Sequence, residues 1–133
     1  MTTTHLSGPL AITGSPLGTG KGLTATAVSG AATLNQGAGV ITSEALTTAA
    51  GSTYTLTLTN SEIHAAGYNG ASAPTCVFAS VTTGTNTTVG LDVQEITVTE
   101  GQVKINVKNT SSATALNGTI VISFVLIKTN AGS

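Results

Sequence analysis

Residues 119–127, Thr-Ile-Val-Ile-Ser-Phe-Val-Leu-Ile, constrain this chain more than any other stretch, because from Ile120 to Ile127 only Ser123 is polar. β-Branched residues dominate the run, Asn117-Gly118 precedes it, and Asn130-Ala131-Gly132 follows it. A short apolar run flanked by turn formers predicts a strand and not a buried helix. Side chains alternate across a strand, so Ile120, Ile122, Phe124 and Leu126 share one face, and Val121, Ser123, Val125 and Ile127 share the other. Both faces are mostly apolar. An antiparallel strand with one wet face alternates more cleanly, so this strand is expected to lie between two layers, or between its own subunit and a neighbouring chain.

The remainder of the sequence supplies material to cover that strand. Residues 1–22 hold Pro9, Pro16 and the glycines at 8, 14, 18, 20 and 22, and only residues 10–13 could form a short strand. Such a segment cannot bury enough apolar area to order itself. It reads as an extended arm, ahead of a β-domain spanning residues 23–133.

Within that domain, strands are expected at residues 23–29, 40–46, 53–60, 76–82, 88–92, 96–99 and 103–108, with loops at 34–39, 62–74 and 109–117. In residues 53–60, Tyr54, Leu56 and Leu58 alternate with four threonines, which predicts one buried and one polar side. In residues 76–82, Cys76, Phe78 and Ser80 oppose Val77, Ala79 and Val81. Glu100-Gly101-Gln102 signals a hairpin, since Gly101 can take the positive φ of a tight turn. After it, Val103, Ile105 and Val107 face inward, and Lys104, Asn106 and Lys108 face water. Eight or nine strands, with turn signals roughly every 8–12 residues, predict an all-β fold: a sandwich, jelly roll or barrel, of which a single-domain antiparallel sandwich or jelly roll is the leading expectation. No fixed repeat emerges, which argues against a solenoid.

A chain of 133 residues suits one domain. Charged residues make up 7%, arginine is absent and the net charge is −1, so no basic field exists to hold phosphates and nucleic acid is not an expected partner. So little charge implies either a neutral, threonine-rich surface or one covered in an assembly, and an aromatic-poor core of this size gains from association. Cys76 is the single cysteine, which excludes an intrachain disulfide. Met-Thr-Thr-Thr-His opens the chain without a basic leader, and no apolar run reaches the roughly 18–20 residues of a membrane span. Synthesis in the cytoplasm and no membrane partner are expected.

Motifs for chemistry are weak throughout. Gly14-Ser-Pro-Leu-Gly-Thr-Gly-Lys-Gly22 departs from a phosphate loop at two positions: Ser15 stands where the first glycine belongs, and Gly22 where a serine or threonine must follow Lys21. His5 and His64 have no Cys, Asp or second His at metal spacing. Glu62 and His64 would share a face if extended, yet fall in a loop. Cys76 and His64 could make a nucleophile and base, but nothing beside Cys76 would lower its pKa, and its strand context predicts a buried, inert thiol. The acidic residues Glu44, Glu62, Asp92, Glu95 and Glu100 are scattered, without a calcium loop or a paired catalytic set. Thr-x-Thr runs are too irregular for an ice-binding array and read as polar sheet faces. Sequons at Asn86, Asn109 and Asn117 arise easily in a threonine-rich chain. No enzyme activity, cofactor or metal is expected.

Both ends of the chain carry a resemblance. His5-Leu-Ser-Gly-Pro-Leu-Ala-Ile-Thr13 with its glycine-rich continuation, and Ala115-Leu-Asn-Gly-Thr-Ile-Val-Ile-Ser-Phe-Val-Leu-Ile-Lys128, resemble small virion proteins of tailed bacteriophages, in particular the head decoration or cement proteins. The similarity extends loosely over the chain and includes the Thr-Leu-Thr-Leu-Thr strand and the Glu-Gly-Gln hairpin. It implies a compact sandwich or jelly roll that forms a homotrimer on the outer capsid surface of the virion, with arms clasping neighbouring major capsid subunits. On that footing His5, Leu6, Pro9, Leu10, Ile12, Pro16 and Leu17 would form the capsid-contacting arm, and Val121, Val125 and Ile127 would line the trimer interface. The alternative is a host- or carbohydrate-binding module of a phage head or tail fibre, although only Tyr54, Tyr68, Phe78 and Phe124 could stack on a sugar.

Overall fold

A computed structural model of the chain describes residues 23–128 and the backbone of residues 11–12. Among the described residues, nine strands are arranged in two facing sheets: β1 (Ala11–Ile12), β2 (Thr24–Thr26), β3 (Ala31–Thr33), β4 (Ala38–Thr42), β5 (Thr53–Thr59), β6 (Cys76–Thr83), β7 (Leu91–Thr99), β8 (Gln102–Asn109) and β9 (Ile120–Lys128). The fold is the expected all-β sandwich. The first sheet runs β6-β9-β4-β2, with β1 paired to the end of β9; the second runs β3-β5-β8-β7. Among the described residues no helix is long and apolar enough to cross a membrane.

β9 is the centre of its sheet, antiparallel to β6 along one edge and to β4 and β1 along the other. Ile120, Ile122, Phe124 and Leu126 are buried against the facing sheet. That sheet contributes Tyr54, Leu56 and Leu58 from β5 and Val103, Ile105 and Val107 from β8. These residues are paired across the β5–β8 ladder, Tyr54 with Val107, Leu56 with Ile105 and Leu58 with Val103, so a single register sets the whole inner face. Gly101, with φ of 76°, makes the β7–β8 hairpin turn as its sequence predicts.

The structure departs from sequence expectation in several strands, among them β4, which begins at Ala38 inside the expected 34–39 loop and ends at Thr42 instead of residue 46. Residues 88–92 and 96–99 are not two strands: β7 is one strand with a register shift between Val93 and Glu95, and Thr88 lies outside it. The bulge switches the parity of the inward residues, from Leu91 and Val93 to Ile96 and Val98, so one strand reads as two. β3 carries no alternating pattern and is defined by its partner, since it runs parallel to β5. β2 likewise runs parallel to β4, so each sheet adds one parallel pair to an otherwise antiparallel ladder. A tight turn between β2 and β3, closed by reciprocal bonds between Val28 and Ala31, carries the chain from one sheet to the other.

Glu44 secures that crossover. Its carboxylate accepts from Gly30 N at 2.5 Å and from the Tyr54 hydroxyl at 2.7 Å. Burial first, and then the neighbouring carboxylate, hold the Tyr54 hydroxyl far above its ordinary titration range, so it stays a neutral donor. Gly39 in β4 is fixed by space and not by φ: a Cβ there would lie 2.5 Å from Leu34 Cδ2 and 3.1 Å from Phe124 Cε1.

Candidate interaction surface

The two outer faces of the sandwich differ in chemistry. The β5–β8–β7 face presents Thr53, Thr55, Thr57 and Thr59 opposite Lys108, Asn106, Lys104 and Gln102. Asp92 and Thr97 extend the polar surface beyond β8. Thr55 Oγ1 donates to Asn106 Oδ1 at 2.8 Å, and nothing large and apolar interrupts the lattice. This is a face made for water.

The outer face of the β6–β9–β4 sheet is apolar at its centre. Val121, Val125 and Ile127 of β9 point outward and are partly exposed, with Ser123 among them. Across the β6–β9 ladder, Phe78 lies beside Val125 and Cys76 beside Ile127. On the other flank Val40 lies beside Ser123. Phe78 is 53% exposed, a large aromatic ring left in solvent. A shallow groove of about 300 Å³ follows the β6–β9 seam, bounded by Phe78, Ser80, Ser123 and Val125. The three β9 residues expected to line an interface therefore share one continuous surface, and Phe78 joins them.

Cys76 corrects an expectation: it is exposed, not buried. Its strand alternates, and the uniformly apolar set Val77, Ala79 and Val81 takes the core side, which turns Cys76, Phe78 and Ser80 outward. Face parity and the more uniformly apolar set were the signals in the sequence that place Phe78 outside. Of the arm residues, Ile12 lies in β1, its backbone paired with Ile127; His5, Leu6, Pro9, Leu10, Pro16 and Leu17 lie outside the described residues.

A second feature lies at one end of the sandwich. Residues 62–75 form a loop closed by reciprocal bonds, His64 N to Thr75 Oγ1 and Thr75 N to His64 O, both 2.9 Å. The β7–β8 hairpin pins it, because Gly101 N donates to Ile63 O and Asn60 N donates to Gly101 O. That contact delivers Glu100 to the loop: Oε1 accepts from Ala65 N at 3.0 Å and Oε2 from His64 Nδ1 at 2.6 Å. The partner of His64 is thus Glu100, 36 residues away, and not Glu62, which pairs with Lys128 Nζ at 2.8 Å. No spacing in the sequence could signal this. The His64 imidazole stacks on Tyr68 with ring centroids 3.5 Å apart and planes 3° from parallel. Among the described residues, no three His, Cys, Asp or Glu side chains are placed to hold a metal ion.

The hydrogen bond from Ala65 N, and after it the one from His64, hold the exposed Glu100 carboxyl below its ordinary range. A depressed folded-state pKa means this clasp is present above the ordinary carboxylate pKa and is released as pH falls through the lower, folded-state value. The Ala65 amide proton shift is accordingly expected to titrate with a midpoint below that of a free glutamate, and Glu100→Gln to abolish the transition. An Ala65 shift that titrates unchanged in the variant would rule out the clasp.

Compared with family models, curated proteins and solved structures, the chain matches none.

Proposed function

We propose that this protein is a non-enzymatic structural component of a phage virion, a trimer that decorates the outer capsid surface and stabilises it by bridging neighbouring capsid subunits. The observation that carries this reading is the contrast between the two outer faces: threonine, lysine and asparagine on one, and Val121, Val125, Ile127 and Phe78 on the other. A monomer has no use for an apolar sheet centre in water, and covering it with copies of itself removes that surface. Many small neutral contacts, repeated by symmetry, then add avidity without any strong single site. The resemblance at both ends of the chain supplies the assembly in which such a trimer would serve, with residues 1–22 as the arm that reaches the major capsid protein.

The test separates the two surfaces. Removing residues 1–10, ahead of β1, is expected to leave a particle three times the mass of the chain by light scattering and to abolish attachment to bare capsids. A truncated protein that still saturates bare capsids would show that residues 1–10, and with them His5, Leu6, Pro9 and Leu10, are not the capsid contact.

A further inference from the structure

The loop of residues 62–75, together with Lys128 of β9, lines a half-open cavity of about 270 Å³, remote in chemistry from the apolar sheet face. We propose that it is a binding site for a neutral saccharide, about one pyranose ring in size, with Tyr68 as its stacking platform. The cavity is just below the size range of roughly 300–1,000 Å³ typical of small-molecule sites, as suits a single-ring ligand.

Charge narrows the ligand class. Lys128 at the rim is paired with Glu62, and the Glu100 carboxylate is engaged by Ala65 N and His64 Nδ1 and does not line the cavity, so neither a free ammonium nor a free carboxylate is offered to a charged ligand. What remains is a mixed lining: Ala65, Ala71 and Ala73 on one hand, and Tyr68, Asn69 and Thr75 on the other. Neither Tyr68 nor Asn69 has a side-chain hydrogen bond to another described residue. A ligand that satisfies both halves is flat, uncharged, rich in hydroxyls and apolar on its C–H faces, which describes a sugar ring.

Preorganisation supports the same conclusion. Tyr68 is 46% exposed, and the stacked His64 occupies only one face of its ring. His64 is itself held by Glu100 and by two backbone bonds to Thr75, which fixes the platform before any ligand arrives. The turn that presents Tyr68 and Asn69 depends on three left-handed residues, Gly67 (φ 97°), Asn69 (φ 51°) and Gly70 (φ 78°). Backbone held in that region at a rim, with an aromatic displayed from it, is a placement that core packing does not require: the turn contains no buried residue.

The site stands apart from the assembly reading, and either can fail alone. The test is a titration of the full-length, ¹⁵N-labelled chain with methyl glucoside, methyl galactoside and N-acetylglucosamine, each to roughly 10 mM, where a site with a Kd near 1 mM is mostly filled. Saturable amide shifts confined to residues 62–75, Glu100 and Lys128 are expected from at least one of the three. Tyr68→Ala should weaken that binding about tenfold or more with an unchanged unfolding midpoint. Ala73→Leu, at an exposed rim position, should block the cavity with the His64–Tyr68 platform intact. No saturable shift from any of the three sugars would overturn the proposal, as would shifts that map elsewhere or binding indifferent to both substitutions.

Discussion

Val125→Asp is expected to convert the proposed trimer into a folded monomer of 13.0 kDa. In the single chain Val125 is only partly buried and points away from the core, so an aspartate there keeps its hydration. In an assembly covering the β6–β9 seam, the same carboxylate would be desolvated three times over around a symmetry axis. The cost of several kcal/mol per buried, unpaired charge raises the dissociation constant by a factor of at least about 100. Light scattering coupled to size exclusion reads the result directly. Thr55→Asp, on the opposite and polar face, is the control and should leave the mass unchanged. Wild-type protein that runs as a monomer at every concentration, or a Val125→Asp variant that keeps its mass, would remove this face from the interface.

Asn109→Ala is expected to destabilise the fold by about 2–4 kcal/mol, a large part of the stability of a domain this size. Asn109 is fully buried at the end of β8. Its Nδ2 donates to Thr48 O at 3.1 Å and Thr114 O at 2.8 Å, and its Oδ1 accepts from Ser111 N at 3.0 Å. One side chain therefore ties together the loops that lead into β5 and into β9, and its removal takes the protein partner from Thr114 O and Ser111 N, leaves Thr48 O with Leu116 N alone, and opens a cavity where the buried amide stood. Asn117 makes comparable bonds to Thr87, but it is exposed, and water can replace what Asn117→Ala removes. Urea unfolding of the two variants should separate them by at least about 1 kcal/mol; equal losses would show that the buried amide is not a staple.

The same residue explains part of what the sequence conceals. Asn86 and Asn109 begin sequons, yet both are buried and engaged in side-chain hydrogen bonds, so these motifs are structural joints in the folded chain. Asn60 does similar work, donating to Gln36 O and accepting from Glu62 N. A polar residue between two loops carries no periodic pattern, and only the folded chain reveals what it bonds. Elements with a strong two-residue period were legible: β5, β8 and β9, the hairpin at Gly101, and the inward set on each. β3 was not, because Ala-Ala-Thr has no alternation and owes its strand geometry to β5.

By itself, then, the sequence determined the all-β class, the alternation that buries Ile120, Ile122, Phe124 and Leu126, and the apolar character of the opposite face of β9. These follow from local rules, since a strand's side chains alternate whatever the strand lies against. Tertiary structure alone decided that β2 and β3 run parallel to their neighbours, that Phe78 shares the outer surface with Val125, and that Glu100 rather than Glu62 meets His64. Those are pairings between residues far apart in the chain, and their free energy depends on how strands and loops are brought together. No local spacing encodes that arrangement.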